Sequence, residues 1–270
     1  LKSTEEVKQK DPQASWKEIH KICGECPWPQ PVGWQSPFRP NGLHETMIRR
    51  IAPYSLRGFL YYQGEEDVQR YADYSDMMQM LVKQWRMDWN DWNLPFLFVQ
   101  LPMYLADGEK DDSYWALQRE QQYIASMMIQ NAGMISLADC GEYDNIHPLD
   151  KKTPGERLFQ LAKNLVYDKQ GTITATAAQL FSDNGKLYVT FDHLHEKLVM
   201  QTANGCPFEI SGEDNLFYPA KADVIHGNML CISNPAVKFP SAVKYAWYNF
   251  GEAALFTESG NPVSPFFKCV

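Results

Sequence analysis

The sequence predicts an α/β protein with a parallel sheet, followed by an antiparallel β region. Over residues 58–170, three short apolar runs bounded by polar residues alternate with helical patterns. Because crossover helices join parallel strands, this alternation predicts a sheet covered by helices on both faces. After residue 171 the helical periodicity ends, and short apolar runs are separated by Gly, Pro, Asn and Asp turns, which is typical of antiparallel sheets.

The elements follow in order from these patterns. Residues 1–20 indicate a charged helix, residues 24–42 (rich in Pro, Gly and Trp) an irregular surface segment, and residues 43–53 a short helix. Strands are predicted at residues 58–62 (GFLYY), 95–101 (PFLFVQL) and 132–138 (AGMISLA), and helices over residues 68–85 and 112–130. A last helix begins with Thr153 as cap, Pro154 in its first position and Glu156 in its third. The later strands include residues 187–191, 208–210, 229–232 and 243–247.

Three regions follow from these patterns. Residues 1–42 form a linker and surface segment, residues 43–170 an α/β domain, and residues 171–270 an accessory β domain. The net charge of -8 argues against nucleic acid as a partner, and no apolar run is long enough to span a membrane. The N-terminus has neither a signal-peptide core nor an initiator Met, so cytoplasmic and secreted locations both stay open.

Neither a metal nor a cofactor is predicted. Cys23-x-x-Cys26 is half of a redox or zinc site, but no second Cys pair or suitable His cluster completes it. His193-x-His195 lacks a third ligand and is interpreted as a loop feature. The eight Trp and 14 Tyr are numerous enough to line a sugar-binding cleft, although packing is the simpler role for any one of them.

Asp144 and His147 are the leading catalytic candidates. They are three residues apart in the loop after the third predicted strand, so the carboxylate can orient the imidazole and leave Nε2 free to take a proton from a nucleophile. The structural alternative for Asp144 is a turn acceptor for backbone N–H groups.

Gln63-Gly64-Glu65 is the second candidate site, directly after the first predicted strand. The Gln63 amide can donate to a developing oxyanion, Gly64 permits positive φ or close approach of a ligand, and Glu65 can bind a sugar hydroxyl. The structural alternative is a helix start at which acidic side chains meet the helix dipole. Since ligands bind beyond the carboxyl ends of parallel strands, both candidate sites are expected on one rim of the sheet.

Two other groups are given structural roles. Arg119-Glu120-Gln121 lies on a predicted helix and is expected to form a structural network. Ser36 is the nearest approach to a Gly-flanked serine, but it follows no predicted strand and is not assigned as a nucleophile.

Five segments form an ordered set along the chain: YYQGEED at 61–67, LPFLFVQLP at 94–102, Trp115 with LQREQQ at 117–122, DNIHP at 144–148 and AVKYAWYNFGEAALFTESGNPVSPF at 242–266. In this set the chain resembles the sialate O-acetylesterase family of the SGNH hydrolase superfamily. The resemblance runs from about residue 40 to the C-terminus.

The resemblance implies a flavodoxin-like α/β/α domain with accessory β structure. It also implies hydrolysis of O-acetyl esters on sugars by a metal-free Ser-His-Asp triad. His147 matches the base, Asp144 its partner, and Gln63 an oxyanion-hole side chain, with Gly64 and Glu65 completing that motif.

One part of the family pattern is missing. The Gly-Gln-Ser-Asn block that carries the nucleophile precedes the YQGE region in the family, and it does not occur in this chain. We therefore expect a sheet that is incomplete at its N-terminal strand, completed by a missing N-terminal segment of the same protein, and an isolated chain that is inactive. Two alternatives stay open: an acetyl-xylan or other carbohydrate acetylesterase, and a non-catalytic carbohydrate-binding relative.

Overall fold

The computed structural model describes residues 4–13, 16–23, 36 and 39–270. Contacts between residues divide the chain into two units, Leu1–Tyr54 and Ser55–Val270.

The described residues of the first unit lie mainly in helices. It contains α1 (Thr4–Lys10), α2 (Trp16–Cys23) and a π-helical turn, His44–Ile48, that runs into α3 (Arg49–Ile51). The single helix predicted over residues 1–20 is therefore interrupted, because the chain leaves the helix at Pro12, whose nitrogen has no hydrogen to donate. The irregular segment predicted at 24–42 lies mostly outside the described residues, as does Cys26.

The second unit begins with a parallel sheet in the order β1 (Phe59–Tyr61), β2 (Phe96–Gln100) and β3 (Ala132–Ser136). On its free side, β1 pairs with no strand in the described part of the chain. The helices of this region are α4 (Tyr74–Asp88), α5 (Tyr114–Met128) and α6 (Lys152–Leu165).

Strand β2 shows why the sheet has helices on both faces, because its side chains are buried on both sides. Phe96 and Phe98 join a cluster with residues of α4 and α5, whereas Leu97 and Val99 join one with Leu158 and Leu161 of α6. The α/β prediction is thus confirmed: the parallel sheet is the middle of three layers, with helices on each face.

The helix predicted over residues 68–85 differs in detail. The segment begins as a 3-10 helix, Glu65–Asp73, and continues as α4 from Tyr74. The break lies at Arg70, whose φ of -126° is not helical. An apolar period of three to four residues does not distinguish the two kinds of helix, because both bury nearly the same side chains.

The predicted antiparallel β region is also confirmed. Its strands are β4 (Thr176–Asp183), β5 (Lys186–Asp192), β6 (Leu198–Met200), β7 (Phe208–Ser211), β8 (Tyr218–Pro219), β9 (Lys221–Ile225), β10 (Met229–Ser233), β11 (Ala242–Tyr245), β12 (Leu255–Thr257) and β13 (Phe266–Cys269). They form sheets in the orders β4-β5-β10-β9, β13-β11-β7-β8 and β12-β6.

Buried polar side chains connect the β region to the parallel sheet. Gln100 Nε2, at the end of β2, donates to Ser264 Oγ at 2.9 Å. Asn249 Oδ1 accepts the Trp115 backbone N–H at 3.0 Å, and Asn249 Nδ2 donates to Asp112 at 2.9 Å. The domain boundary predicted near residue 170 stays a prediction.

Candidate active site

An open pocket of ≈ 390 Å³ lies beyond the carboxyl ends of β1 and β3. It is lined by Tyr62, Gln63, Glu65, Glu66, Ile146, His147 and Lys151. The loops after the two strands therefore bring Gln63, Glu65 and His147 to one pocket, although more than 80 residues separate Glu65 from His147 in the sequence.

Hydrogen bonds at both ends of its amide fix the Gln63 side chain. Its Oε1 accepts the Tyr61 hydroxyl at 3.0 Å, and its Nε2 donates to Asp67 Oδ2 at 2.6 Å. Burial, reinforced by the charges of Asp67 and Glu65, raises the pKa of Tyr61 to about 12, so the phenol remains a donor at neutral pH. The amide has two N–H hydrogens and one donates to Asp67, so one is left for another acceptor.

Gly64 occupies a conformation and a space that suit only glycine. Its φ is +147°, and a Cβ there would stand 3.0 Å from Gln122 Nε2 and 3.1 Å from Gln118 Nε2. Glu65 follows as the first residue of the 3-10 helix. The helix-start interpretation and the ligand-binding interpretation of this tripeptide are thus compatible, since Glu65 also lines the pocket.

Asp144 and His147 lie in one exposed loop, but their side chains do not meet. Asp144 Oδ1 accepts the Asp107 backbone N–H at 2.9 Å, as expected for a turn acceptor. The His147 backbone N–H donates to Asn145 Oδ1 at 3.1 Å. Neither a hydrogen bond nor an ion pair joins Asp144 to His147, both of which lie in the described part of the chain, and their catalytic pairing stays a prediction.

Gly141 and Glu142 hold the start of this loop. Gly141 bridges to Met103 with a φ of +111°, and a Cβ there would overlap the Met103 carbonyl oxygen. Glu142 then closes the loop, because its Oε1 accepts the Leu149 N–H at 2.6 Å and its Oε2 accepts the Asn145 side-chain amide at 2.7 Å. The Leu149 hydrogen bond, followed by that of Asn145, lowers the pKa of Glu142.

Charged groups also anchor both ends of the loop. Arg157 of α6 donates through both terminal nitrogens to the two carboxylate oxygens of Asp139, each at 2.6 Å. At the other end, Asp150 Oδ1 accepts the N–H groups of Lys152 and Thr153, both at 3.0 Å. Helix α6 begins at Lys152, so Thr153 is not its cap as predicted; Asp150 satisfies the first N–H groups instead.

Other predicted groups lie away from the pocket. Arg119 is almost fully buried and donates to the Tyr248 carbonyl, as expected for a structural network. His193 and His195 lie in the connection between β5 and β6. Ser36 is described, but Gly33, Trp34 and Gln35 before it are not.

Cys140 is a thiol in the loop after β3, so it must be considered as a nucleophile. Burial, with Asp139 as the next cause, raises its pKa to about 12, and a thiol rather than a thiolate is a poor nucleophile at neutral pH. Within residues 4–13, 16–23 and 39–270, no three His, Cys, Asp or Glu side chains are arranged to hold a metal ion. Nor does any helix in the described ranges have the length and apolar character needed to span a membrane.

Four pocket residues were not predicted as site residues: Tyr62, Glu66, Ile146 and Lys151. The Lys151 ammonium stands 5.2 Å from the centroid of the Tyr62 ring, which favours a cation–π contact. The sequence offers one signal for Lys151, since it lies four residues after His147 at the start of a predicted helix. Tyr62 belongs to an apolar run, and nothing in that run distinguishes it from a core residue.

The chain is similar to known carbohydrate esterases. A family model for "Carbohydrate esterase, sialic acid-specific acetylesterase" matches residues 31–164. The mouse sialate O-acetylesterase is 26% identical over 260 residues, which cover 85% of this chain and 47% of the relative. The human sialate O-acetylesterase is 25% identical over 208 residues, covering 70% of this chain and 39% of that protein.

A solved structure is similar over much of the chain as well. The crystal structure of a carbohydrate acetylesterase from Xanthomonas citri superimposes with a TM-score of 0.79 at 32% identity, covering 85% of this chain and 54% of that one. The chain spans about half the length of these relatives. The family model, the curated relatives and the solved structure all support the sialate O-acetylesterase family of carbohydrate esterases for this chain.

Proposed function

We propose that this chain is part of an enzyme that hydrolyses O-acetyl esters on sugars, with sialic acids as the leading substrate class. The observation that carries the proposal is the pocket shared by Gln63, Glu65 and His147 at the carboxyl ends of β1 and β3. The family comparisons support the reaction class, and the mouse and human relatives are named sialate O-acetylesterases. The substrate would be an O-acetylated sugar.

In the proposed mechanism, a serine oxygen attacks the acetyl carbonyl carbon while His147 Nε2 takes the serine proton. The new C–O bond moves the carbonyl π electrons onto oxygen, and the Gln63 region stabilises that oxyanion. Collapse of the intermediate breaks the ester bond, and the sugar oxygen leaves with the proton from His147. Water then attacks the acetyl group on the serine while His147 takes its proton, the acetyl–serine bond breaks, and acetate is released.

Asp144 would orient His147 in this scheme. Only Oδ1 of Asp144 is used by the Asp107 N–H, so Oδ2 can accept from His147 Nδ1 without loss of the turn. A rotation of the exposed His147 side chain is required, and catalytic hydrogen bonds often tighten only when substrate is bound.

The nucleophile would come from a segment outside these 270 residues, since the family's serine block does not occur in them. On its free side, β1 has no partner strand among the described residues, so a strand of that segment could add to the sheet there. The isolated chain should then release no acetate from p-nitrophenyl acetate or an O-acetylated sialic acid. Turnover by the chain alone would contradict this assignment.

The decisive experiment is His147→Ala in the complete protein, assayed with O-acetylated sialic acid and with acetyl-xylan. We expect kcat to fall by about a thousandfold or more, because the base is lost. His195→Ala is the matched control, since His195 is exposed in the β region and should leave kcat unchanged. Unchanged hydrolysis by His147→Ala would reject the triad.

The alternatives give different results in the same assay. Faster turnover of acetyl-xylan than of O-acetylated sialic acid would indicate a different carbohydrate acetylesterase. Sugar binding without turnover by the complete wild-type protein would favour a non-catalytic relative.

A further inference from the structure

The peptide between Gln63 and Gly64 is held from the protein interior. Its carbonyl oxygen accepts the Tyr74 hydroxyl at 2.9 Å and Gln122 Nε2 at 3.3 Å. Tyr74 belongs to α4 and Gln122 to α5, and both side chains are buried. Two helices on one face of the sheet thus fix the direction of this single peptide group.

The orientation of the carbonyl determines that of the N–H. In a planar trans peptide the two groups point in opposite directions, so the Gly64 N–H points away from Tyr74 and Gln122. Gly64 lies between Gln63 and Glu65, which both line the pocket. Among the hydrogen bonds of residues 39–270, none has the Gly64 N–H as its donor, although Gly64 is buried. A buried N–H without an acceptor is costly and calls for a partner.

We propose that Tyr74 and Gln122 are positioning residues that direct the Gly64 N–H at the oxyanion of the reaction intermediate. This inference rests on the proposed acetylesterase function. The Gly64 N–H would donate to the acetyl oxygen when the serine C–O bond forms and the π electrons move onto that oxygen. The donor is set before the reaction, so no reorganisation is needed when the charge develops.

The surroundings of Gly64 support this role. Gln122 is itself fixed, because its Oε1 accepts the Leu101 N–H at 2.8 Å. Burial raises the pKa of Tyr74, so its hydroxyl stays protonated and continues to donate to the Gln63 carbonyl across the neutral range. The Gln118 and Gln122 side chains also occupy the space beside Gly64 that a Cβ would need, so they pack closely on this turn.

The test is Tyr74→Phe in the complete protein, which removes one donor to the Gln63 carbonyl and keeps the ring. We expect kcat for acetyl release to fall about 10- to 100-fold with KM unchanged, since the interaction is made only in the transition state. Inactivation by an alkylphosphonate ester, whose phosphoryl oxygen occupies the same position, should slow in parallel. Tyr71→Phe is the matched control: Tyr71 packs on the Tyr114 ring, and its loss of a hydroxyl should leave both rates unchanged.

A second variant guards against misfolding of the first. Gln122→Glu keeps an oxygen for the Leu101 N–H but places an oxygen beside the Gln63 carbonyl, so it should lower kcat in the same way. If both variants hydrolyse the acetyl ester with kcat within twofold of wild type, or if only KM changes, the positioning role is wrong while the esterase function stands. An inactive complete wild-type protein would instead overturn the proposed function, and this inference with it.

Discussion

The turn after β1 and the loop after β3 contribute to the same pocket but are stabilised in opposite ways. Neutral, buried donors hold the Gln63–Gly64 turn from inside, through Tyr74 and Gln122. Charged groups nearer the surface hold the loop that carries His147, through Glu142 and the Asp139–Arg157 pair. The comparison indicates that neutral groups fix the Gln63 carbonyl of the turn, whereas the stability of the loop depends on charged side chains.

The largest effect is expected from Gly64→Ala in the turn. The new Cβ meets Gln122 and Gln118 at 3.0–3.1 Å, and alanine disfavours a φ of +147°. We expect the free energy of unfolding to fall by about 2–4 kcal/mol, measured by urea denaturation. The control is Gly155→Ala on α6, where a Cβ meets nothing within 4 Å, and it should raise stability by about 0.4–1 kcal/mol. Equal effects of the two substitutions would show that the turn is not tightly packed.

A smaller effect is expected from Asp139→Asn at the start of the loop. The substitution removes the negative charge from a bidentate salt bridge with Arg157. Both side chains are mostly buried, with 23% of Asp139 and 14% of Arg157 exposed. We expect a loss of about 1–2 kcal/mol in thermal unfolding. Asp223→Asn breaks an exposed pair with Lys221 and should cost less than about 0.5 kcal/mol. A similar cost for both would mean that the Asp139–Arg157 contact does not anchor the loop.

The smallest effect is local and depends on pH. The pKa of Glu142 is lower in the folded protein than its usual 4.5, so its stabilising effect is present above that pH and is lost as pH falls through the folded pKa. Hydrogen exchange at the Leu149 amide, corrected for its intrinsic pH dependence, should therefore accelerate below about pH 4.5. The Leu101 N–H donates to the neutral Gln122 side chain, so its protection from exchange should not fall over the same pH range.

Glu142→Gln is the control for this titration. Glutamine keeps an acceptor for the Leu149 N–H but has no carboxyl group to protonate, so the corrected exchange rate should not change in that pH window. An unchanged pH response in this variant would assign the effect to another group.

The parallel strands could be predicted because short, continuous apolar runs bounded by polar residues are typical of a sheet buried on both faces. Residues 95–101 contain β2 (Phe96–Gln100), and residues 132–138 contain β3 (Ala132–Ser136). The rim position of Gln63 and His147 followed from the parallel arrangement alone.

Side-chain partners across the fold could not be predicted. The spacing of Asp144 and His147 allows a contact, yet Asp144 Oδ1 binds the Asp107 N–H of a different loop. In the same way, no local pattern indicates that Tyr74 and Gln122 meet at one carbonyl, because these residues belong to separate helices 48 positions apart. Local sequence constrains the backbone, whereas the choice among hydrogen-bond partners depends on tertiary packing.

The polar contacts between the parallel sheet and the β region have a practical consequence for anyone who truncates the chain. Removing residues 171–270 would leave the Gln100 amide without Ser264 and the first turn of α5 without Asn249. Each of these groups that stays shielded from water without a new partner costs about 1–3 kcal/mol. We expect a shortened protein that ends near residue 170 to expose apolar surface and to aggregate. A graft of this β region onto another enzyme would need matching polar partners on the recipient.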